Sequence, residues 1–244
     1  MLAGVISVVK PLRFLRIRTR GRGLLVAGLG LLGYAAGFCL PVAETQVENP
    51  RTRLDEFVPV YQSHEFHAIT IGASKDRVWS AIWKVTPDEI RLYRTLTWMR
   101  RFGRPSRAGV LNAPGRRPIL ETFLATGFQS LAEEPGRELV FGFAGGAHQW
   151  AKSPAEFKAL RQVPGVKIAM NFRVVDLDAG HSTLTTETRI YATGWLARQA
   201  WGAYWRMIFP GSSLIRYGWL RAIKFRAEAA DSGLSAAGES AASR

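Results

Sequence analysis

Cysteine and histidine are scarce in this sequence, and both scarcities exclude chemistry. The one cysteine, Cys39, rules out an intrachain disulfide and a cysteine-built metal site. The four histidines are His64, His67, His148 and His181, and no two stand four apart on a helix beside an acid, as a zinc protease requires. No serine occupies G-x-S-x-G, so a nucleophile elbow is missing. These absences point to a protein without metal or cofactor. Acids are also few, 19 against 33 lysines and arginines, for a net charge of +14.

The positive charge is clustered. Lys10, Arg13, Arg16, Arg18, Arg20 and Arg22 precede residue 23; Arg94, Arg100, Arg101, Arg104, Arg107, Arg116 and Arg117 form a second group, and Arg198, Arg206, Arg216, Arg221, Lys224 and Arg226 a third. Such patches favour anionic partners: phospholipid, nucleic acid or an acidic ligand. Aromatics do not alternate with the arginines as single-strand binding prefers, so no nucleic-acid partner is expected.

Residues 23–43, "GLLVAGLGLLGYAAGFCLPVA", form a run of 21 without a charge, enough at about 1.5 Å per residue to cross roughly 30 Å of hydrocarbon. Basic residues lie upstream, and Glu44, Glu48, Asp55 and Glu56 outweigh Arg51 and Arg53 downstream. The positive-inside rule therefore places residues 1–22 in the cytoplasm and the remainder outside, as a single-pass protein of the cell membrane. A cleaved signal peptide is the rival reading; cleavage after Ala43 would put Pro41 where a small residue is wanted, and Phe38 before Cys39 spoils a lipoprotein signal. "GLGLLG", residues 28–33, matches the dinucleotide fingerprint in letters but lacks its strand-to-helix setting. "GYAAG", residues 33–37, has the small-residue spacing that would let two anchors form a weak homodimer.

Residues 44–60 read as a linker, 61–229 as one folded domain and 230–244, rich in Ser, Ala and Gly, as a disordered tail. At 47% hydrophobic residues the chain can bury one sizeable core. Within the domain, 64–73 alternates as a strand, and "SKDRVWSAIWKV" places Val78, Ala81, Ile82 and Val85 at helical spacing. "TPDEIRLYRTLTWMRRFG", 86–103, carries a capping box at Thr86 and Glu89, Pro87 at the first helical position and Gly103 at the end, so it predicts one helix with a stripe of Leu92, Tyr93, Leu96 and Met99. "ILETFLATGF", "FQSLAEEPG" and "RELVFGFAGG" predict antiparallel strands, and the insertion after Gly145 one short helix. "VKIAMNFRVVDLDAGHSTLTTETRIYAT" predicts a hairpin with Ile168, Met170, Phe172 and Val174 sharing a face with Leu184, Thr186, Thr188 and Ile190. Helical sequence from 195 to 229 closes the chain, with Ala200, Ala203, Tyr204 and Met207, then Leu214, Tyr217, Leu220 and Ala222, on one face; Pro210 and Gly211 should break or kink it.

This element order, with the segments "LYRTLTWMRR", "ILETFLATGF", "LAEEPGRELVFG", "AMNFRV" and "LTTETRIYAT", resembles the START-like helix-grip superfamily (SRPBCC), the polyketide cyclase and lipid-transport group, in a bacterial branch of unassigned activity. The resemblance spans residues 60 to 228. It implies an α+β fold in which a curved antiparallel sheet wraps a long C-terminal helix over an apolar cavity, and a lipid or other hydrophobic ligand in that cavity. Rieske oxygenases share the fold, but their cluster needs two cysteines.

Plausible lining residues are Trp98, Phe123, Phe141, Phe172, Tyr204 and Trp205, joined by Thr186 and Thr188 from the hairpin's inner face. Glu187, Arg189 and Arg173, with Glu121 and Tyr204, are the candidates for acid–base work should they face the cavity. The alternation that turns Leu184 and Ile190 inward turns Glu187 and Arg189 outward, so the expectation is a solvated outer face with cross-strand charge pairing. The reading that results is a membrane-anchored carrier or sensor of a hydrophobic molecule, touching the membrane through its anchor and its basic patches; the alternative is a cyclase or dehydratase-like enzyme.

Overall fold

A computed structural model describes residues 19–145, 151–159, 165–178 and 180–242. Most of the basic N-terminus, His148 and parts of the insertion lie outside these residues. Helix α1 (Arg20–Cys39) starts at Thr19, whose side chain accepts from the Arg22 N–H. Its span Gly21–Cys39 is long and apolar enough to cross a membrane, with a mean hydropathy of 1.4, and Leu24, Leu25, Leu29, Leu31 and Leu32 face outward.

The segment that reads as a linker is folded. β1 (Thr45–Gln46) pairs antiparallel with β2 (Val60–Tyr61), and α2 (Leu54–Phe57) lies between them. Leu54, Phe57 and Val58 are all buried. A four-residue helix is too short to leave a periodic signal, so composition alone showed only its prolines and charges.

β3 (Ser63–Ile71) and α3 (Lys75–Lys84) follow as expected, with Val78, Ala81 and Ile82 buried. The helix predicted over 86–103 is instead two pieces. The capping box forms, with Glu89 Oε2 accepting from the Thr86 N–H at 2.7 Å, but it closes a single 3₁₀ turn, Pro87–Glu89. The chain then reverses at Leu92, in the left-handed region at φ 64°, before α4 (Tyr93–Arg100). Arg226 of the last helix clasps the same carboxylate at 2.9 and 3.0 Å. That tertiary bond ties the turn to the last helix. The segment 119–125, expected as a strand, is helix α5 (Ile119–Ala125). Ile119, Leu120, Thr122 and Phe123 are buried together, which is helical rather than alternating spacing.

β4 (Gln129–Glu134), β5 (Glu138–Gly145), α6 (Pro154–Ala159), β6 (Gly165–Asp178), β7 (His181–Thr193) and α7 (Trp195–Ala242) complete the chain. The five-stranded sheet is antiparallel in the order β3-β7-β6-β5-β4. The hairpin register is the expected one: Ile168 opposes Ile190, Met170 opposes Thr188, Phe172 opposes Thr186 and Val174 opposes Leu184. This face packs with α3, α5 and α7 in the main core, where Phe141, Phe172, Trp219, Leu220 and Ile223 are buried. The fold is therefore α+β, an antiparallel sheet set against a long C-terminal helix.

The extent of α7 and its buried stripe differ from expectation. Pro210 lies inside it without ending it; the residue is exposed, so water can reach the carbonyl that its missing N–H leaves free. The helix also runs to Ala242, across the stretch that composition reads as a tail. Its buried stripe is Arg216, Trp219, Leu220, Ile223 and Ala227, while Met207, Leu214 and Tyr217 are about half exposed.

The reverse face of the sheet is covered too. Leu54, Phe57 and Val58 join Ala151 and Phe157 of the insertion against Leu131, Val140, Ala144 and Ala169 in a second core. Central strands covered on both sides explain why β5 is buried at nearly every position.

Candidate functional site

A cavity of about 690 Å³ lies between α4, α5, the β6–β7 floor and α7. Its walls are apolar: Leu96 and Met99 from α4, Ile119 and Phe123 from α5, Ile168, Met170 and Ile190 from the sheet, and Trp201, Trp205, Ile208, Ile215 and Trp219 from α7. With Gly211 and Ser212 between Ile208 and Ile215, the α7 residues recur every three or four positions, so one helical stripe forms a whole wall. Met99, Phe102, Met207 and Leu214 both line the cavity and face solvent, which marks its mouth as the gap between α4 and α7. Among the described residues none that lines the cavity is a carboxylate, histidine, lysine or cysteine.

Four of the eight predicted binding residues line this space: Phe123, Thr188, Tyr204 and Trp205. Phe141 and Phe172 are instead core residues, stacked at 6.1 Å between centroids. Trp98 is 54% exposed, because the break at Leu92 rotates α4 so that Tyr93 and Thr97 face inward. Thr186 is buried with its hydroxyl donated to the Asn171 carbonyl at 2.8 Å, so it serves the hairpin rather than the cavity.

The charged candidates lie elsewhere. Glu187 and Arg189 do point away from α7, as alternation requires, yet the expected solvated face is a buried ionic network under α2. Arg189 is 6% exposed; its guanidinium meets Glu187 at 2.6 Å and Asp55 at 2.7 Å, donates to the Val58 carbonyl at 3.1 Å and lies over the Tyr61 ring. Asp55 also accepts from the Arg51 and Thr52 N–H groups at 2.7 and 2.6 Å. Burial alone would push the Glu187 carboxyl up, but hydrogen bonds from His64 and Arg189 outweigh it and hold it below its ordinary value. Asp55 is likewise lowered, with burial opposed by the Arg51 and Thr52 N–H groups and by Arg189. Arg173 sits on the same reverse face, opposite Glu138 and Thr185. Glu121 is on the surface of α5 with Arg117 at 3.2 Å. None of these four borders the cavity.

Two arginines from the supposed surface clusters do border it. Arg100 donates its Nε–H to the Tyr204 hydroxyl at 2.6 Å. Arg216 is 9% exposed, against the floor, with one N–H directed at the Met170 sulfur at 3.1 Å and its guanidinium over the Trp219 ring. A helical wheel would have found Arg216, which shares the stripe of Trp219, Leu220 and Ile223. Counting it among neighbouring charges hid it.

No family model and no curated protein matches this sequence. Solved structures do. A conserved protein from Geobacillus kaustophilus aligns at 10% identity over 68% of this chain and 95% of its own, with a TM-score of 0.36. The Zhui aromatase/cyclase from Streptomyces sp. R1128 aligns at 15% over 68% and 93%, with a TM-score of 0.28, and Ara h 8.0201 at 10% over 68% and 98%, with a TM-score of 0.31. Likenesses of this size bear on neither ligand nor reaction.

Proposed function

We propose that this protein is a membrane-anchored carrier or sensor that holds a hydrophobic small molecule or lipid in the cavity between sheet and α7. The observation that carries this reading is the lining: an apolar space in the size range of ligand pockets, about 300–1,000 Å³, bordered among the described residues by no carboxylate, histidine, lysine or cysteine. General acid–base catalysis needs a positioned group that changes protonation near neutral pH. The Tyr93 hydroxyl is pushed up to about 12 by burial and is donated to the Val110 carbonyl.

The apolar helix α1 supports a membrane location, and the charge asymmetry around it supports a cytoplasmic N-terminus with the domain outside. The exposed Trp98, Met99, Phe102 and Met207 near the mouth, with Arg101, Arg104 and Arg107 beside them, suit contact with anionic headgroups. A cyclase-type activity remains the second reading, favoured by one observation, the Tyr204 hydroxyl held by Arg100 inside the cavity.

Native mass spectrometry of the full chain released from detergent tests the first reading. One apolar molecule bound per chain, unchanged after prolonged incubation, is the expected result. Consistently empty protein would overturn it, and conversion of the bound molecule would favour the enzyme.

A further inference from the structure

The apolar cavity contains a positive charge that forms no ion pair among the described residues. Among the described residues Arg216 has no ion pair; its nearest interactions are a thioether, which is a weak acceptor, and an indole face. Glu65 is the carboxylate whose charge reaches it, but the Glu65 oxygens already accept from Ser212 at 2.8 Å and meet His67 at 2.9 Å. Arg100, the other cation on the lining, adds repulsion rather than relief. Burial, offset in part by Glu65 and reinforced by Arg100, depresses Arg216 to about 10, so it is still charged at neutral pH.

A second polar group is stranded beside it. The Trp219 Nε1–H is buried without a hydrogen-bond acceptor, and Trp219 lines the cavity below the same guanidinium. Thr188, directly opposite Met170 in the hairpin, adds a hydroxyl to that floor. A cation held in an apolar space by only a thioether and a ring face leaves an acceptor missing. Buried charges are costly unless paired, and the missing partner is therefore an anion.

We infer that the cavity takes an amphiphile with an oxyanion head, whose oxygens meet Arg216 and whose apolar body lies along the α5 and α7 walls toward the mouth. This rests on the cavity-binding reading above and specifies its ligand class. Planar guanidinium suits a two-oxygen head such as a carboxylate or phosphate.

The test is occupancy of the full chain in detergent by native mass spectrometry, titrated with oleic acid, its neutral isostere oleyl alcohol, and lysophosphatidic acid. Oleate or lysophosphatidic acid should bind about ten- to a hundredfold more tightly than the alcohol, the span expected for hydrogen bonds to a charged group, and whichever of the two binds better identifies the head. Arg216→Met should erase that preference while leaving alcohol binding in place, and Arg216→Lys should restore part of it. Removing a lone buried cation should not lower the melting temperature of Arg216→Met; Arg216→Gln serves as a second neutral variant. Equal binding of acid and alcohol to the unaltered protein, or a preference that survives Arg216→Met, overturns the inference while the cavity reading stands. Failure of all three amphiphiles to bind overturns both.

Discussion

Arg189 is a charge that holds a structure together on the side of the sheet away from the cavity. It bonds Glu187, Asp55 and the Val58 carbonyl at once, so it fastens α2 and its flanks to β7. Removing one member of a buried ion group leaves the others uncompensated, at a cost of about 3–5 kcal/mol. Arg189→Met should therefore lower the unfolding free energy by about that amount in a chemical-denaturation series, with ligand occupancy on the opposite face unchanged at temperatures where the variant is folded. The same network predicts acid sensitivity. The Asp55 and Glu187 carboxyls are held below their ordinary 3.8 and 4.5 in the folded protein. Depressed carboxyl pKa values contribute stability that is present above the unfolded values and is lost as pH falls through the folded ones. Melting temperature should fall as pH drops below about 4.5, and Arg189→Met should flatten that slope.

At the scale of elements, the reverse-face cover depends on close approach at Gly142 of β5. A Cβ there would stand 2.8 Å from a Leu131 methyl, 2.9 Å from the Ile168 carbonyl oxygen and 3.0 Å from the Phe157 ring. The carbonyl cannot move aside as a side chain tip can, so Gly142→Ala should destabilise by about 1–3 kcal/mol through overpacking, read as a lower denaturation midpoint with an unchanged slope. Legibility in the sequence followed element length. The β6–β7 hairpin alternates over more than a dozen residues on each strand, enough to fix register residue by residue. Helix α5 has seven residues, too few to separate period 3.6 from period 2, and was read as a strand. The break at Leu92 follows a turn that Arg226, more than a hundred positions away, bonds through Glu89, a contact no local pattern contains. The site was half legible for a related reason: aromatic content marks an apolar interior but cannot divide cavity wall from core, so Phe123 and Trp205 stand beside the mistaken Phe141 and Phe172.

Across the whole molecule, α7 ties the apolar helix α1 to the rest of the fold. Its first turns receive the end of α1: Gln199 donates to the Phe38 carbonyl at 2.9 Å, and Arg206 to the Gly37 and Pro41 carbonyls at 2.8 and 2.9 Å. The Gly37 and Phe38 carbonyls are among those a helix end leaves without intrahelical partners. Phe38 packs edge-on against Trp195 at 5.8 Å between centroids, and a Cβ on Gly202 would meet Val42 at 2.5 Å. The double variant Gln199→Ala, Arg206→Ala should leave the melting temperature within about 1 °C, since the bonds lie outside both cores. It should broaden the distance distribution between spin labels on α1 and on β3, and an unchanged distribution would show that the brace is held by packing alone. Order of synthesis gives this arrangement a further consequence. Helix α1 is made before the residues that cap its end, which come some 160 positions later. Trp219, Leu220 and Ile223, which close the core, come later still. Contacts so remote along the chain form slowly, so a ribosome still making α7 holds out a sheet with no helix to close on. The cavity cannot close until α7 has been made.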